Sequence, residues 1–200
     1  MSSADTPAPV QLGGRIPLLA QDDLAGDQNE IYQRLRANQV PWAASHGFRG
    51  MTDDGRLIGP FNPLLYSPAA GMGFLDFEGA EARSTSLDAR VREVVILSVG
   101  SVWRSAYELY AHAALAREAG FSDETIRALE NGELADGLAE RERLAQRYTL
   151  ELTSRHLIGA AVYEEMERAF GKRGMVDIAL LVGRYLTICT LLNCFDIPRP

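Results

Sequence analysis

The run IALLVGRYLTICTLLNCF, residues 178–195, is the longest apolar stretch of the chain, and Arg184 stands in its interior. A segment this apolar needs cover on most of its faces. A charge near its middle is costly in a bilayer, where a spanning helix takes about 20 predominantly apolar residues. A helix buried inside a protein meets both conditions. The same run holds the only two cysteines, Cys189 and Cys194. Their spacing matches neither a redox Cys-x-x-Cys nor a zinc knuckle, and five positions on a helix turn them about 140° apart. Both are expected to be buried free thiols.

The rest of the chain also has helical periodicity, with helix start and stop signals. Asp27 is placed to cap a helix through EIYQRLRANQ, with Ile31, Tyr32 and Leu35 as its apolar side. Ser67-Pro68 is a hydroxyl cap followed by proline, and it starts a helix through AAGMGFLDFEGAEAR. Ser86 precedes LDARVREVVILSVG, whose length and first-turn Asp88 favour helix over strand despite its β-branched residues. SAYELYAHAALAREAG reads as a helix closed by Gly120 in a left-handed cap. Ser122 caps a short helix, and LAERERLAQRYTLELTSR, GAAVYEEMERAFG and the apolar run complete the set. No alternating strand pairs occur, so the fold class is all-α. Residues 1–16 read as a loose or partner-bound arm, and residues 17–200 as one helical domain. Residues 41–63, rich in Gly, Pro and Asp, read as a long loop of the kind that often carries function.

Acids outnumber Lys and Arg by 27 to 20, and basic residues are interspersed with acids. No nucleic-acid partner is expected from that pattern. The N-terminus lacks the basic and apolar regions of a secretory signal, so a cytoplasmic location is expected, with no membrane association.

Four segments in order, FNPLLYSPAAG, SLDARVREVVIL, WRSAYELYAHAALAREAGFSDETIRAL and a last helix closing in LLNCFDIPRP, resemble the carboxymuconolactone decarboxylase and alkylhydroperoxidase D superfamily. The resemblance spans roughly residues 60 to 198 and implies an alkylhydroperoxidase D-like helical bundle. It also implies a homo-oligomer, commonly a trimer or hexamer. In the peroxidase branch the pattern is Glu, eleven residues, Cys, two residues, Cys, three residues, His. Here Glu93 and His112 hold the ends, while Ser105 and Glu108 stand at the cysteine positions. A serine and a glutamate cannot run a thiol-disulfide cycle. The resemblance therefore implies the decarboxylase branch, with proton transfer in place of redox chemistry.

Glu108 and His112 are four apart on one helix and face the same way. A carboxylate beside an imidazole fixes its tautomer and raises its pKa. His112 is expected to give or take the proton, Glu108 to orient it or act as second base, and Glu93 to hold the pair in register. Alternatively, Glu93 bonds a neighbouring helix or an arginine. Arg104 offers a bidentate fork to a substrate carboxylate, or else pairs with Glu108. Ser105, Trp103 and Tyr107 are further candidates for contact with substrate; for the two aromatics the competing role is core packing. His156 reads as a surface or capping residue. His46 and Trp42 would reach a substrate only if the long loop folds over the pocket. Two carboxylates and a histidine could also take a divalent ion, but one histidine is few for a catalytic metal, and neither metal nor cofactor is expected. The expected activity is that of a cofactor-independent lyase or isomerase on a small lactone or related carbonyl acid. The alternatives are a cyclase or lactone hydrolase on the same scaffold, or a non-catalytic, oligomeric ligand-binding protein.

Overall fold

The computed structural model describes residues 12–200. Among these residues there are helices and one isolated antiparallel bridge, Met51 to Leu57, but no strand. In chain order the helices are α1 (Asp27–Ala37), α2 (Gln39–Ser45), α3 (Phe61–Leu64), α4 (Pro68–Ser84), α5 (Ala89–Trp103), α6 (Ala106–Glu118), α7 (Asp123–Glu130), α8 (Glu140–Arg155) and α9 (Ala160–Cys194). A single 3₁₀ turn, Gln21–Asp23, precedes them. α9 is interrupted at Gly171, whose φ of 64° lies outside the helical region. Hence the two helical segments read at its start and end are two arms about one glycine.

α5 is the centre of the bundle and packs against α6, α7, α8 and α9. It buries an unbroken run from Glu93 to Gly100, which is why its sequence lacks a clean amphipathic stripe. Its N-cap is Asp88, which accepts a hydrogen bond from the Val91 amide at 2.9 Å. Ser86, expected to precede and start this helix, instead donates from its hydroxyl to Asp177 Oδ2 on α9 at 2.6 Å. Ser122 caps α7 through the Thr125 amide, and Gly120 follows α6 with a positive φ of 85°, both as the sequence predicts. α1 starts at Asp27, so its cap is Gly26. His156 caps the C-terminus of α8 in a left-handed conformation and is exposed.

α9 is long and apolar enough to cross a membrane by composition, with a window mean hydropathy of 1.8. Its inward side, from Met175 through Ile178, Leu181, Val182, Ile188 and Leu192, is part of the main core with α5 and α8. Cys189 is buried there, but Cys194 is exposed, against the expectation that both thiols are buried. The helix runs through Cys194, where the inward face has already turned away.

Two expectations about irregular segments change. Residues 41–63 are not one loop, because Pro41 lies in the first turn of α2, where no intrahelical N–H is required. The remaining stretch folds on itself. Ile58 N–H bonds Gly50 O at 3.0 Å, Thr52 N–H bonds Arg56 O at 2.8 Å, and the Tyr32 hydroxyl donates to Gly55 O at 2.8 Å. Of the arm, residues 1–11 lie outside the described part, and residues 12–16 are docked rather than loose. Arg15 N–H bonds Phe195 O at 2.6 Å, and Ile16 is buried in the main core.

The first half of the chain builds a separate apolar cluster from Ile31, Tyr32, Leu35, Leu57, Phe61, Leu64, Leu65 and Leu75. The seam between this cluster and the main core holds the site.

Candidate active site

α5 and α6 are joined by only two residues, with Arg104 at φ 51° and the Ser105 amide bonded back to Gly100 O at 3.1 Å. Gly100 lets the helices meet closely, since a Cβ there would lie 3.0 Å from the Leu109 side chain. Glu93 and His112 lie about two to three turns either side of this corner, and so they face each other. His112 Nδ1 hydrogen-bonds Glu93 Oε2 at 2.7 Å, and Nε2 lies 3.0 Å from Glu108 Oε1. The edge of the ring meets Tyr185 of α9 at a centroid distance of 5.0 Å.

The three groups are nearly closed off from water, with His112 only 5% exposed. Burial opposes a charge on the imidazole, yet Glu93 and then Glu108 outweigh it and push the His112 pKa up to about 9. At neutral pH the ring is an imidazolium with a carboxylate at each nitrogen. Both nitrogens are engaged by carboxylates, so neither is left open to a substrate. Sequence spacing reveals the Glu108 contact but not the Glu93 bond, which depends on how tightly α6 folds back on α5.

The trio connects two spaces. Glu108 and His112 line a narrow cavity of about 50 Å³, walled by Trp42, Phe48, Phe61, Phe74, Tyr107 and Ile188. Water needs roughly 10–15 Å³ by the same measure, so only a few waters or one small molecule would fit. Glu93 and His112 line an open cleft of about 600 Å³ on the other side. Trp42 thus reaches the site, as a wall formed by α2, whereas His46 turns away to pair with Glu118 at 2.6 Å.

Of the remaining candidates, Tyr107 lies on the cavity wall. Its hydroxyl donates to Arg49 O, and its ring lies against Gly59, where a Cβ would come within 2.2 Å of it. Trp103, Arg104 and Ser105 do not line the cavity. Trp103 packs against the main core and accepts a bond from Asn193 at its carbonyl. Arg104 is exposed at the corner, and its left-handed backbone ends the helix that would have paired it with Glu108. Ser105 is buried at the N-cap of α6.

The guanidinium that lines both spaces is that of Arg184, from the middle of the apolar run. Its Nη1 bonds Glu81 Oε2 at 2.8 Å, Nη2 bonds the Tyr185 hydroxyl at 3.2 Å, and Glu78 Oε1 lies 3.4 Å from Nη2. Glu81 is also held by both arms of Arg92. The sequence signal was Arg184 itself, since a charge is rarely buried without partners. Glu78 and Glu81, in a glycine-rich helix, carried no comparable signal.

Residues 68–151, from α4 to α8, match the Carboxymuconolactone decarboxylase family. That segment is similar to the family, and the helical bundle has the fold of AhpD-like proteins. Its fold is that of the alkylhydroperoxidase AhpD core of a peroxidase-related protein from Ralstonia eutropha JMP134. The TM-score is 0.71 at 17% identity, over 94% of this chain and 93% of that one. An AhpD-like protein from Agrobacterium tumefaciens, described as a putative antioxidant defence protein, gives 0.63 at 19% identity, covering 70% and 96% of the two chains. The debrominase Bmp8, solved as a C82A variant with 2,3,4-tribromopyrrole, gives 0.65 at 14% identity, covering 84% and 89%. No curated protein sequence matches the chain. Ser105 and Glu108 stand at the positions where the resemblance places the two peroxidase cysteines.

Proposed function

We propose that the protein is a cofactor-independent acid-base enzyme, a lyase or isomerase acting on a small lactone or related carbonyl compound. One observation carries this reading: the Glu93–His112–Glu108 chain runs from the open cleft to the apolar cavity. Such a chain lets Glu108 exchange a proton with a bound molecule while His112 and Glu93 exchange it with solvent. Glu108 is the group that meets the substrate, and His112 positions it and passes the proton. The apolar walls strengthen the electrostatics of the step by excluding water. A debrominase of the same fold has been solved with 2,3,4-tribromopyrrole, a small ring.

The test is a screen of the purified protein with small unsaturated and carboxylated lactones, following double-bond migration by absorbance and release of carbon dioxide. Glu108→Gln keeps the volume and removes the base, so whichever activity is found should fall by about 10² or more. Full activity in a folded Glu108→Gln protein would refute the assignment.

We also propose that the protein self-associates, as a trimer or hexamer, through the outward face of α9. Val176, Leu180, Gly183, Thr187 and Thr190 recur there every three or four residues and are exposed, with Val176 at 56%. Leu180→Arg should shift the sedimentation coefficient toward that of a monomer. A wild-type protein that already sediments as a monomer would rule the interface out.

A further inference from the structure

Glu78 is the acid in the site that the chain from Glu93 to Glu108 does not use. It lies one turn before Glu81 on α4, and the two differ in what holds them. Glu81 takes both arms of Arg92 and the short bond from Arg184, so it is a neutralised, structural carboxylate. Among the described residues, Glu78 has only the 3.4 Å approach of Arg184 Nη2 within ion-pair distance. Burial raises its pKa, opposed by Arg184 and reinforced by Glu108 and Glu81. It lines both the narrow cavity and the open cleft. Its carboxyl group can therefore meet a bound molecule and still be recharged from solvent, without an intermediary.

The charges around it bear on the substrate. Glu78, Glu81, Glu93 and Glu108 stand against Arg92, Arg184 and His112, and every one of these cations already has a carboxylate partner. An anionic substrate would add a charge with no free counter-ion, whereas an uncharged carbonyl compound would not.

Resting on the acid-base reading above, we propose that Glu78 is a second catalytic proton-transfer residue, working opposite Glu108, and that the substrate is a small uncharged enolisable lactone. For a β,γ-unsaturated lactone the step balances without a co-reactant. Glu108 takes the proton from the carbon beside the carbonyl, and the electron pair moves through the ring to give a dienolate. Arg184, beside Glu78, stabilises the charge on its oxygen. The O–H bond of Glu78 breaks as a C–H bond forms at the γ-carbon. Glu108 then returns its proton through His112 and Glu93 to the cleft, and Glu78 is reprotonated from the cleft. Two carboxyl groups whose surroundings differ in this way are the arrangement that separates an acid from a base.

The probe is α-angelica lactone, an uncharged β,γ-unsaturated lactone, deuterated beside its carbonyl and incubated with the protein in ordinary water. With two separate groups, the conjugated product carries no deuterium at the γ-carbon. In Glu78→Gln, isomerisation falls about 10²-fold and the ratio of exchange beside the carbonyl to isomerisation rises. A structural role for Glu78 would leave that ratio unchanged. Wild-type-like isomerisation by a folded Glu78→Gln protein, or deuterium carried to the γ-carbon, would overturn the role of Glu78 and leave that of Glu108 standing. Turnover confined to carboxylated lactones, with loss of carbon dioxide, would overturn the uncharged substrate. Absence of exchange and of turnover on both lactone classes would overturn the acid-base reading itself, and this proposal with it.

Discussion

Arg184→Met should destabilise the protein by about 3–5 kcal/mol, the typical cost of removing one partner from a buried ion pair. The methionine nearly fills the volume, so lost packing contributes little. The cost comes from what is left behind. Glu78 loses its cationic contact, the Tyr185 hydroxyl loses a donor, and Glu81 keeps Arg92 alone. Arg184 is 7% exposed, so water cannot readily replace it. Arg184→Lys should recover only part of the loss, because one ammonium cannot reproduce the fork that reaches Glu81, Tyr185 and Glu78 together. Combining Arg184→Met with Glu78→Gln should cost less than the sum of the two single changes, since each removes the other's reason to matter. Urea titration of the four proteins measures all of this. An Arg184→Met midpoint equal to that of wild type would mean that the cluster does not hold the seam together.

Arg184 also marks the limit of what could be read from residues in order. The helices were legible because periodicity and caps are local: Ser122, Gly120 and the start at Pro68 stand where their chemistry predicts. The Glu108–His112 pair was legible for the same reason, since a spacing of four on a helix is a contact. The cavity was not. Its walls come from α2, α3, α4, α6 and α9, and no period relates them. Pro41 concealed α2, because proline reads as a break unless the first turn of the helix is already known. Arg104 looked like an anchor because it stood near the motif, but a left-handed residue at the corner turns it outward. The arginine that lines the cavity is instead 80 residues further on. Arg184 stood out as a charge in an apolar run, but identifying its partners required three-dimensional packing.

Stability should fall as the pH rises from neutrality toward 9, by on the order of 3 kcal/mol if His112 alone is counted. The ring's pKa is raised from 6.5 to about 9 by its two carboxylates, against the cost of burial. A group whose pKa is higher in the folded state binds its proton more tightly there. Its contribution is therefore complete below pH 6.5, declines as the pH passes that value, and is gone once the pH exceeds about 9. Glu78, whose pKa is also raised, contributes in the same direction at lower pH. Glu81, Glu142 and Asp177 have lowered pKa values and act in the opposite direction, losing stability only in acid. Burial also raises the pKa values of Cys189, Tyr107 and Tyr185, but these act only once the pH nears 9 or more, so the limb between 6.5 and 9 belongs to His112. Urea unfolding of wild type and His112→Gln at a series of pH values between 6 and 9 isolates it. The wild-type free energy should slope downward across that range, and the variant's should be flatter. Parallel slopes would place the imidazolium outside the folding balance and remove the physical basis for a charged His112 between Glu93 and Glu108. A flat variant would assign the wild-type slope to the same imidazolium that the proposed proton relay requires at neutral pH.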